Sequence, residues 1–331
     1  MSAITTSMKR FMEERRGLKY LFFGGKGGVG KTVMAGAAAL WSAKAGKKTL
    51  LASMNPAHSL SSLFGQDVFG KPVTVCGDPR CHALEIDTRG FIEQSKKEVR
   101  ERINWFLKSA DITTKAEDFV ESAAMSPAFE ESAMFDTMAD LMVKDEYELY
   151  VFDLAPAAFA RRLLGMAKAH SLWAEKMVKS REEAKSLRQM LSFSRKQEKD
   201  PLMDYLLSFR DRVANVQRLL IDEALTALFL VTLPESLPIA VTARSINWSR
   251  EIGIPLGGVI VNKVIQKGQI NEHTAEFVRN RIVAQDEHMA EIWDMFGGLV
   301  RAITPLLETD VSSAAMLDRM ARHLFAPTGV P

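Results

Sequence analysis

The stretch YLFFGGKGGVGKT, residues 20–32, decides the fold, because it sets a buried-strand pattern directly against a turn that only glycine-rich backbone can make. Gly24, Gly25, Gly27, Gly28 and Gly30, with Lys26 and Lys31, fill most of the run that ends at Thr32. Gly25, four residues, then Gly30-Lys31-Thr32 satisfy G-x4-G-K-[ST], and TVMAGAAALWSAKAG follows as a helix pattern. Phosphate binding calls for this construction. Backbone N–H groups converge on anionic oxygens only where side chains at Gly27, Gly28 and Gly30 do not obstruct the approach, and the next helix adds its positive end. The arc from Gly25 to Thr32, Val29 included, is therefore the expected cradle of a nucleoside triphosphate. Lys31 is expected to reach the β and γ phosphates and the Thr32 hydroxyl to ligate Mg²⁺. A glycine-rich structural turn leaves Lys31 and Thr32 unexplained. Lys26 lies at the tip of the loop, where its own chain already supplies Lys31, and is expected to point away from its own phosphates.

Further apolar runs are KTLLAS (48–53), HALEID (82–87), YELYVFDLA (147–155), ALFLVTLPE (227–235), PLGGVIVNKV (255–264) and the weaker RAITPLL (301–307). Apolar runs without alternation predict strands covered on both faces, hence a mostly parallel sheet in a doubly wound α/β domain. The whole chain, 1–331, is expected to be one such domain. Two charged, helix-patterned stretches, about 89–144 and 163–222, interrupt the alternation and are expected to form an inserted helical subdomain. Phe91, Val99, Ile103 and Phe106 share one helical face. Met134, Met138 and Met142 recur at i, i+4, i+8 beside Phe135 and Leu141. This stripe reads as core packing, or as an adaptable apolar surface for a client.

Lys plus Arg number 43 against 41 Asp plus Glu, so no strong overall field favours nucleic acid or an anionic membrane. The N-terminus has no apolar signal region and no later run approaches a membrane span, which leads to the expectation of a cytoplasmic protein without a transmembrane segment. Cys76 and Cys81, in a C-x4-C-H spacing, form neither a disulfide framework nor a standard zinc pattern, and read as two reduced cysteines near a strand.

The loop KGGVGKT resembles the deviant Walker A motif of the MinD/ParA/nitrogenase-iron-protein class. That resemblance implies that Lys26 reaches across a dimer to the partner's nucleotide, so that ATP drives dimerisation. LLASMNPAHSLSSLFG is similar to the switch I segment of the arsenite-pump (ArsA-type) ATPase family, which includes the eukaryotic ATPase that targets tail-anchored membrane proteins. SPAFEESAMFDTMADLM followed by YELYVFDLAP resembles its helix and switch II strand, and LVTLPESLPIAVTARSINWSREIGIPLGGVIVNKV its adenine-side segment. The likeness runs from about Leu18 to Pro305 and implies ATP and Mg²⁺ as ligands. It assigns Asp153 to the Mg²⁺ shell, where a strand-end carboxylate belongs on physical grounds too; a cap of the following turn is the alternative. It assigns Asn262 to the base, against a plain turn former, and Pro234 and Glu235 to the base pocket. His58 and Ser59 read as γ-phosphate sensors or, for His58, a buried hydrogen-bonded side chain. Glu130 and Glu131 read as no more than a solvated helix start. The Asn-Lys-x-Asp reader of guanine is missing from VNKV, which disfavours GTP.

Two departures bear on turnover. The family's D-P-A-H-S carries Asp where this chain has Asn55, and its D-T-A-P-T-G-H-T is here Asp153-Leu154-Ala155-Pro156-Ala157-Ala158-Phe159-Ala160. An amide still accepts a hydrogen bond from water but cannot take its proton, and phosphoryl transfer rests mostly on positioning and charge. Slow hydrolysis by a dimeric switch is therefore expected, with a non-hydrolysing ATP-binding subunit paired with a catalytic paralogue as the alternative. Two altered switches fit divergence better than a single trapping substitution. Arsenite capture needs several thiolates together, which two cysteines per chain do not supply. The C-x-x-C zinc clasp of the tail-anchored targeting branch is also missing.

Overall fold

The computed structural model describes residues 6–54, 59–86, 127–155, 201–267 and 275–326, with single helical positions at 90, 97 and 101 and short helical pieces between 161 and 186. The strands are β1 (Tyr20–Gly25), β2 (Thr49–Ser53), β3 (Val73–Thr74), β4 (Cys81–Glu85), β5 (Leu149–Asp153), β6 (Thr226–Thr232), β7 (Leu256–Val264) and β8 (Val300–Pro305). The helices are α1 (Met8–Glu14), α2 (Lys31–Lys44), α3 (Ser59–Phe64), α4 (Pro127–Lys144), α5 (Pro201–Ile221), α6 (Ser236–Ile252), α7 (Glu276–Phe296) and α8 (Ala314–Leu324). Every strand expected from the apolar runs is present, and β3 is one the sequence did not announce. It is two residues long and pairs antiparallel with β4.

The sheet runs β3-β4-β2-β5-β1-β6-β7-β8, with every pair but β3–β4 parallel. Parallel strands need crossovers, and here helices pack on both faces, which is why the central strands read as unbroken apolar runs. Alternate residues supply two separate cores. Phe22, Ala52, Tyr150, Phe152, Leu228 and Leu230 pack with side chains of α4, α5, α6 and α7. Leu21, Phe23, Leu51, Val151, Phe229 and Val231 pack with α1, α2, α3 and α8. Each fully buried side chain of this size contributes about 1.5–3 kcal/mol. Phe22 and Phe152, neighbours in register, stack at 4.9 Å between ring centroids. On the other face, Ala35, Ala37, Ala38, Ala39 and Ala43 let α2 lie close against the strands.

The chain leaves β1 toward β2 on one side and later leaves β5 toward β6 on the other. The carboxyl end of β1 is thus the point where strand order reverses, and crevices form there in open α/β sheets. Of the two expected insertions, α4 and α5 are described; Arg212 of α5 donates to Asp140 of α4 at 2.7 Å and to the Asp136 carbonyl at 3.1 Å. Met134, Met138 and Met142 are buried in the first core, so the described stripe is packing. Phe91, Val99, Ile103 and Phe106 lie outside the described residues. Among the described residues no helix is long and apolar enough to cross a membrane.

Candidate functional site

Three glycines shape the loop that leaves β1. Gly25 has φ +143°, and a Cβ there would fall 2.4 Å from the Val231 carbonyl oxygen, so β1 can turn out of the sheet beside β6 only without a side chain. Gly28 has φ +83° and no neighbour that a Cβ would meet within 4 Å; conformation, not space, selects glycine. Gly30 is the N-cap of α2 at φ +95°, and a Cβ there would lie 2.3 Å from Asn262 Nδ2. The first turn of α2 holds no acidic side chain, so its N–H groups and the positive end of its dipole are not neutralised from within the helix.

Lys31 opens α2 and is only 6% exposed. Its Nζ donates to the Lys26 carbonyl at 3.2 Å, folding the ammonium under the loop. Burial lowers its pKa, and the Asp153 charge opposes that shift. Thr32 Oγ1 donates to Asp153 Oδ2 at 2.7 Å. Because that hydroxyl has a single hydrogen, the Ser59 hydroxyl 3.3 Å away is the donor in their contact. Ser53 Oγ donates to the same Asp153 oxygen at 3.4 Å. Asp153 is fully buried, and its Oδ1 has no hydrogen-bond partner among the described residues. Burial pushes its carboxyl up from 3.8 to about 6, against the Thr32 hydrogen bond, the Lys31 charge and the Ser53 hydrogen bond, with nearby Glu85 adding to the rise.

Asn262, 3% exposed near the end of β7, braces the loop from the other side. Its Nδ2 donates to the Val29 carbonyl at 2.9 Å, and its Oδ1 accepts from Thr304 Oγ1 and from the Lys263 N–H, both at 2.8 Å. Lys263 adopts φ +57°, a left-handed conformation costly for a side-chain-bearing residue, and its Nζ donates to the Gly28 carbonyl at 3.2 Å. Beyond it lies a cleft of about 280 Å³ whose lining includes Leu233, Pro234, Glu235, Lys263, Gln285 and Leu306. Glu235 pairs with Arg281 across this cleft at 3.0 Å.

The structure therefore brings together Gly25 to Thr32, Ser59, Asp153 and Asn262, and sets Pro234 and Glu235 in an adjoining cleft. Lys26 is half-exposed at the loop tip, with Gly27 and Gly28 exposed beside it. Asn55, His58 and Pro156 to Ala160 lie outside the described residues, as do the side chains of Glu130 and Glu131. Ser53, Lys263 and Thr304 belong to the site and were not singled out in the sequence. Each lies at or next to its strand's carboxyl end, a signal that acquires meaning only once sheet order is known. Cys81 opens β4 and Cys76 lies in the turn before it; both are free thiols.

With a glycine arc, a buried lysine and a Thr–Asp pair at the head of one helix, the comparison with known proteins is decisive. The family described as anion-transporting ATPase matches residues 18–326. The chain belongs to that family. As a member of that family it is an ATPase, and nucleotide binding goes with membership. The chain is 26% identical over 324 residues to the ATPase ASNA1 homolog 2 of Paramecium tetraurelia, covering 96% of this chain and 97% of that protein. It is 26% identical over 327 residues to the ATPase GET3 of Malassezia globosa, covering 96% and 94%. It is 32% identical over 332 residues to a putative arsenical pump-driving ATPase of Halobacterium salinarum, covering 98% of this chain and 47% of that protein.

The buried Asp153 sets a testable sign. A carboxyl whose folded pKa lies above its unfolded value binds more protons when folded. Stability therefore falls as pH rises from about 4 to about 6 and stays low above that window. Asp153→Asn should raise the stability of the nucleotide-free protein at pH 7.5 by about 1–3 kcal/mol and flatten the wild-type loss between pH 4 and 6. Urea denaturation at the two pH limits checks this; a variant less stable than wild type at pH 7.5 contradicts it.

Proposed function

We propose that this chain binds Mg²⁺-ATP and hydrolyses it slowly, as a dimeric switch acting on a client or partner through the helical part that includes α4 and α5. The observation that carries the reading is the Thr32–Asp153 pair, its carboxylate fully buried and Asp153 Oδ1 unpaired among the described residues, at the head of a helix preceded by a loop in which Gly25 and Gly30 leave no room for a Cβ. An unpartnered buried carboxylate oxygen beside a hydroxyl is a donor set that suits a hard divalent cation, and Mg²⁺ takes few protein ligands when phosphates supply others. Thr32 and Asp153 would hold it, and once bound it would offset phosphate charge. Backbone N–H groups from Gly27 to Thr32 and the α2 dipole would grip the β and γ phosphates, with Lys31 supplying a positive charge that cannot be dispersed into solvent. The base would extend toward the cleft of Pro234, Glu235 and Lys263. Asn262 would act mainly by fixing the loop, with one amide N–H left to meet the base.

Lys26, at the exposed tip, is suited to reach a second protomer's nucleotide, in line with the resemblance of its loop. Asn55 can orient water without taking its proton, which supports slow turnover. The apolar Ala157-Ala158-Phe159-Ala160 favours a second reading, a non-hydrolysing subunit completed by a catalytic paralogue. Relatives are named as arsenical pump-driving ATPases, but a metalloid role is poorly supported here. Burial pushes the thiols of Cys76 and Cys81 up to about 11 and about 12, so neither offers a thiolate near neutral pH. Action in the cytoplasm is part of this reading; among the described residues no helix is long and apolar enough to cross a membrane.

Lys31→Ala should weaken ATP binding on the order of 10- to 100-fold by titration calorimetry; unchanged affinity would refute the phosphate assignment. Lys26→Ala should leave nucleotide affinity within roughly threefold while lowering the ATP-dependent dimer fraction in light scattering, because its charge acts between protomers. Equal dimer fractions count against that role. Asn55→Asp should raise steady-state phosphate release by about tenfold, a general-base gain at the low end of its usual range. If release stays at background, the non-hydrolysing reading is the better one.

A further inference from the structure

A second buried carboxylate stands beside the site and has no part in the reading above. Glu85 ends β4 and is 2% exposed. Its Oε1 accepts from the Leu60 N–H at 2.6 Å, and its Oε2 accepts from Ser61 Oγ at 2.5 Å, so both oxygens hold the first turn of α3 through short, charge-assisted bonds. The backbone of the same residue holds the segment after α3. Glu85 N–H donates to the Val68 carbonyl at 2.8 Å, and its carbonyl accepts from the Gly70 N–H at 2.9 Å. Val68 N–H in turn donates to Ser61 Oγ at 3.3 Å. One residue thus fastens both ends of the 60–70 segment to the carboxyl end of β4.

The sheet register connects this anchor to the phosphate side. Ser53 of β2 pairs with Glu85 on one side and with Asp153 on the other. Ser59, immediately before the residue Glu85 grips, lies 3.3 Å from Thr32 Oγ1, and Thr32 bonds Asp153. A neutral amide could fasten a surface helix at lower desolvation cost, whereas a carboxylate buried next to Asp153 adds like-charge repulsion in a region where water cannot screen it. Such a charge is tolerable where a divalent cation and a lysine share the neighbourhood.

We infer that Glu85 is a positioning residue for the nucleotide reaction: it fixes the first turn of α3 so that Ser59 stands against Thr32 and Asp153 at the metal-binding end of the site. This rests on the reading of that site as one for Mg²⁺-ATP. Lys31 is held by the Lys26 carbonyl, and the glycine arc is braced by Asn262 and Lys263 from the other side, so grip on the phosphates without metal should vary little with Glu85. The metal-dependent gain in affinity and the rate of turnover depend on it.

The test uses the full chain and compares wild type, Glu85→Ala, Glu85→Gln and Ser61→Ala. A fluorescent ATP analogue is titrated in EDTA and in excess Mg²⁺, and steady-state phosphate release is measured alongside. Glu85→Ala should keep its EDTA affinity within about threefold of wild type, lose about tenfold of the Mg²⁺ enhancement, and lower kcat by about tenfold with KM little changed. Glu85→Gln, whose amide can still accept from Leu60 and donate to Ser61, should recover most of both losses, a rescue that a role through charge would not give; a purely fold-stabilising role would instead lower affinity equally in EDTA and Mg²⁺. If Glu85→Ala does not fold, Ser61→Ala removes one of the two bonds and should show the same losses to a smaller extent. A folded Glu85→Ala or Ser61→Ala protein with wild-type Mg²⁺ enhancement and kcat overturns the proposal, as does an equal loss of affinity in EDTA and Mg²⁺. A wild-type chain that binds no ATP overturns the site reading and this proposal with it, an outcome distinct from failure of the variants alone.

Discussion

Gly25 lies so near the Val231 carbonyl that no side chain fits between them, and the rest of the site is built on that approach. β1 is held between β5 and β6 up to its last residues, then must leave the sheet within one residue to begin the loop that α2 completes. A side chain at Gly25 would push the loop off β6. A side chain at Gly30 would displace Asn262 and, with it, the bonds to Val29 and Thr304. The lysine and threonine that open α2 are therefore aimed by steric exclusion two strands away as much as by their own preferences.

Polar residues in this protein collect where the strands end. Glu85, Ser53, Asp153, Asn262 and Thr304 are all buried and sit at or near the carboxyl ends of β4, β2, β5, β7 and β8. Buried polar groups cost several kcal/mol if left unpaired, so a row of them is sustainable only when each is bonded or awaits a ligand. Most are bonded to one another or to the loops above. The apolar layers beneath, with aromatic side chains stacked between neighbouring strands, supply the rigidity that keeps these ends in line. Polar character and packing are thus divided along the strands, with apolar layers in the middle and buried polar groups at one end.

Much of this was readable in the amino-acid order. Runs such as YLFF and LYVFD lack alternation because both their faces are covered, and that alone indicates a parallel sheet. The glycine spacing fixed the loop, since no common alternative needs Lys31 and Thr32 after it. Other features were hidden for physical reasons. β3 is too short to produce a periodic signal. The pairing of Ser53 with both Glu85 and Asp153 depends on strand order, which hydrophobicity does not encode. Periodicity identified the Met134, Met138 and Met142 stripe but not what covers it, and the stripe lies in a core shared by strand side chains and the neighbouring helices, α5 among them. Asn262 was placed at the base by resemblance, whereas its contacts in the fold are chiefly with the loop backbone and Thr304.

The brevity of β3 has an effect outside the site. An exposed parallel strand such as β4 would present a row of unpaired amides and carbonyls to any passing chain, a template for sheet extension and fibre growth. The antiparallel pairing of Val73 with Ala83 and Thr74 with His82 occupies part of that row, and a two-residue strand is too short to serve as a template itself. Copies of this molecule are thus discouraged from stacking rim to rim on that flank.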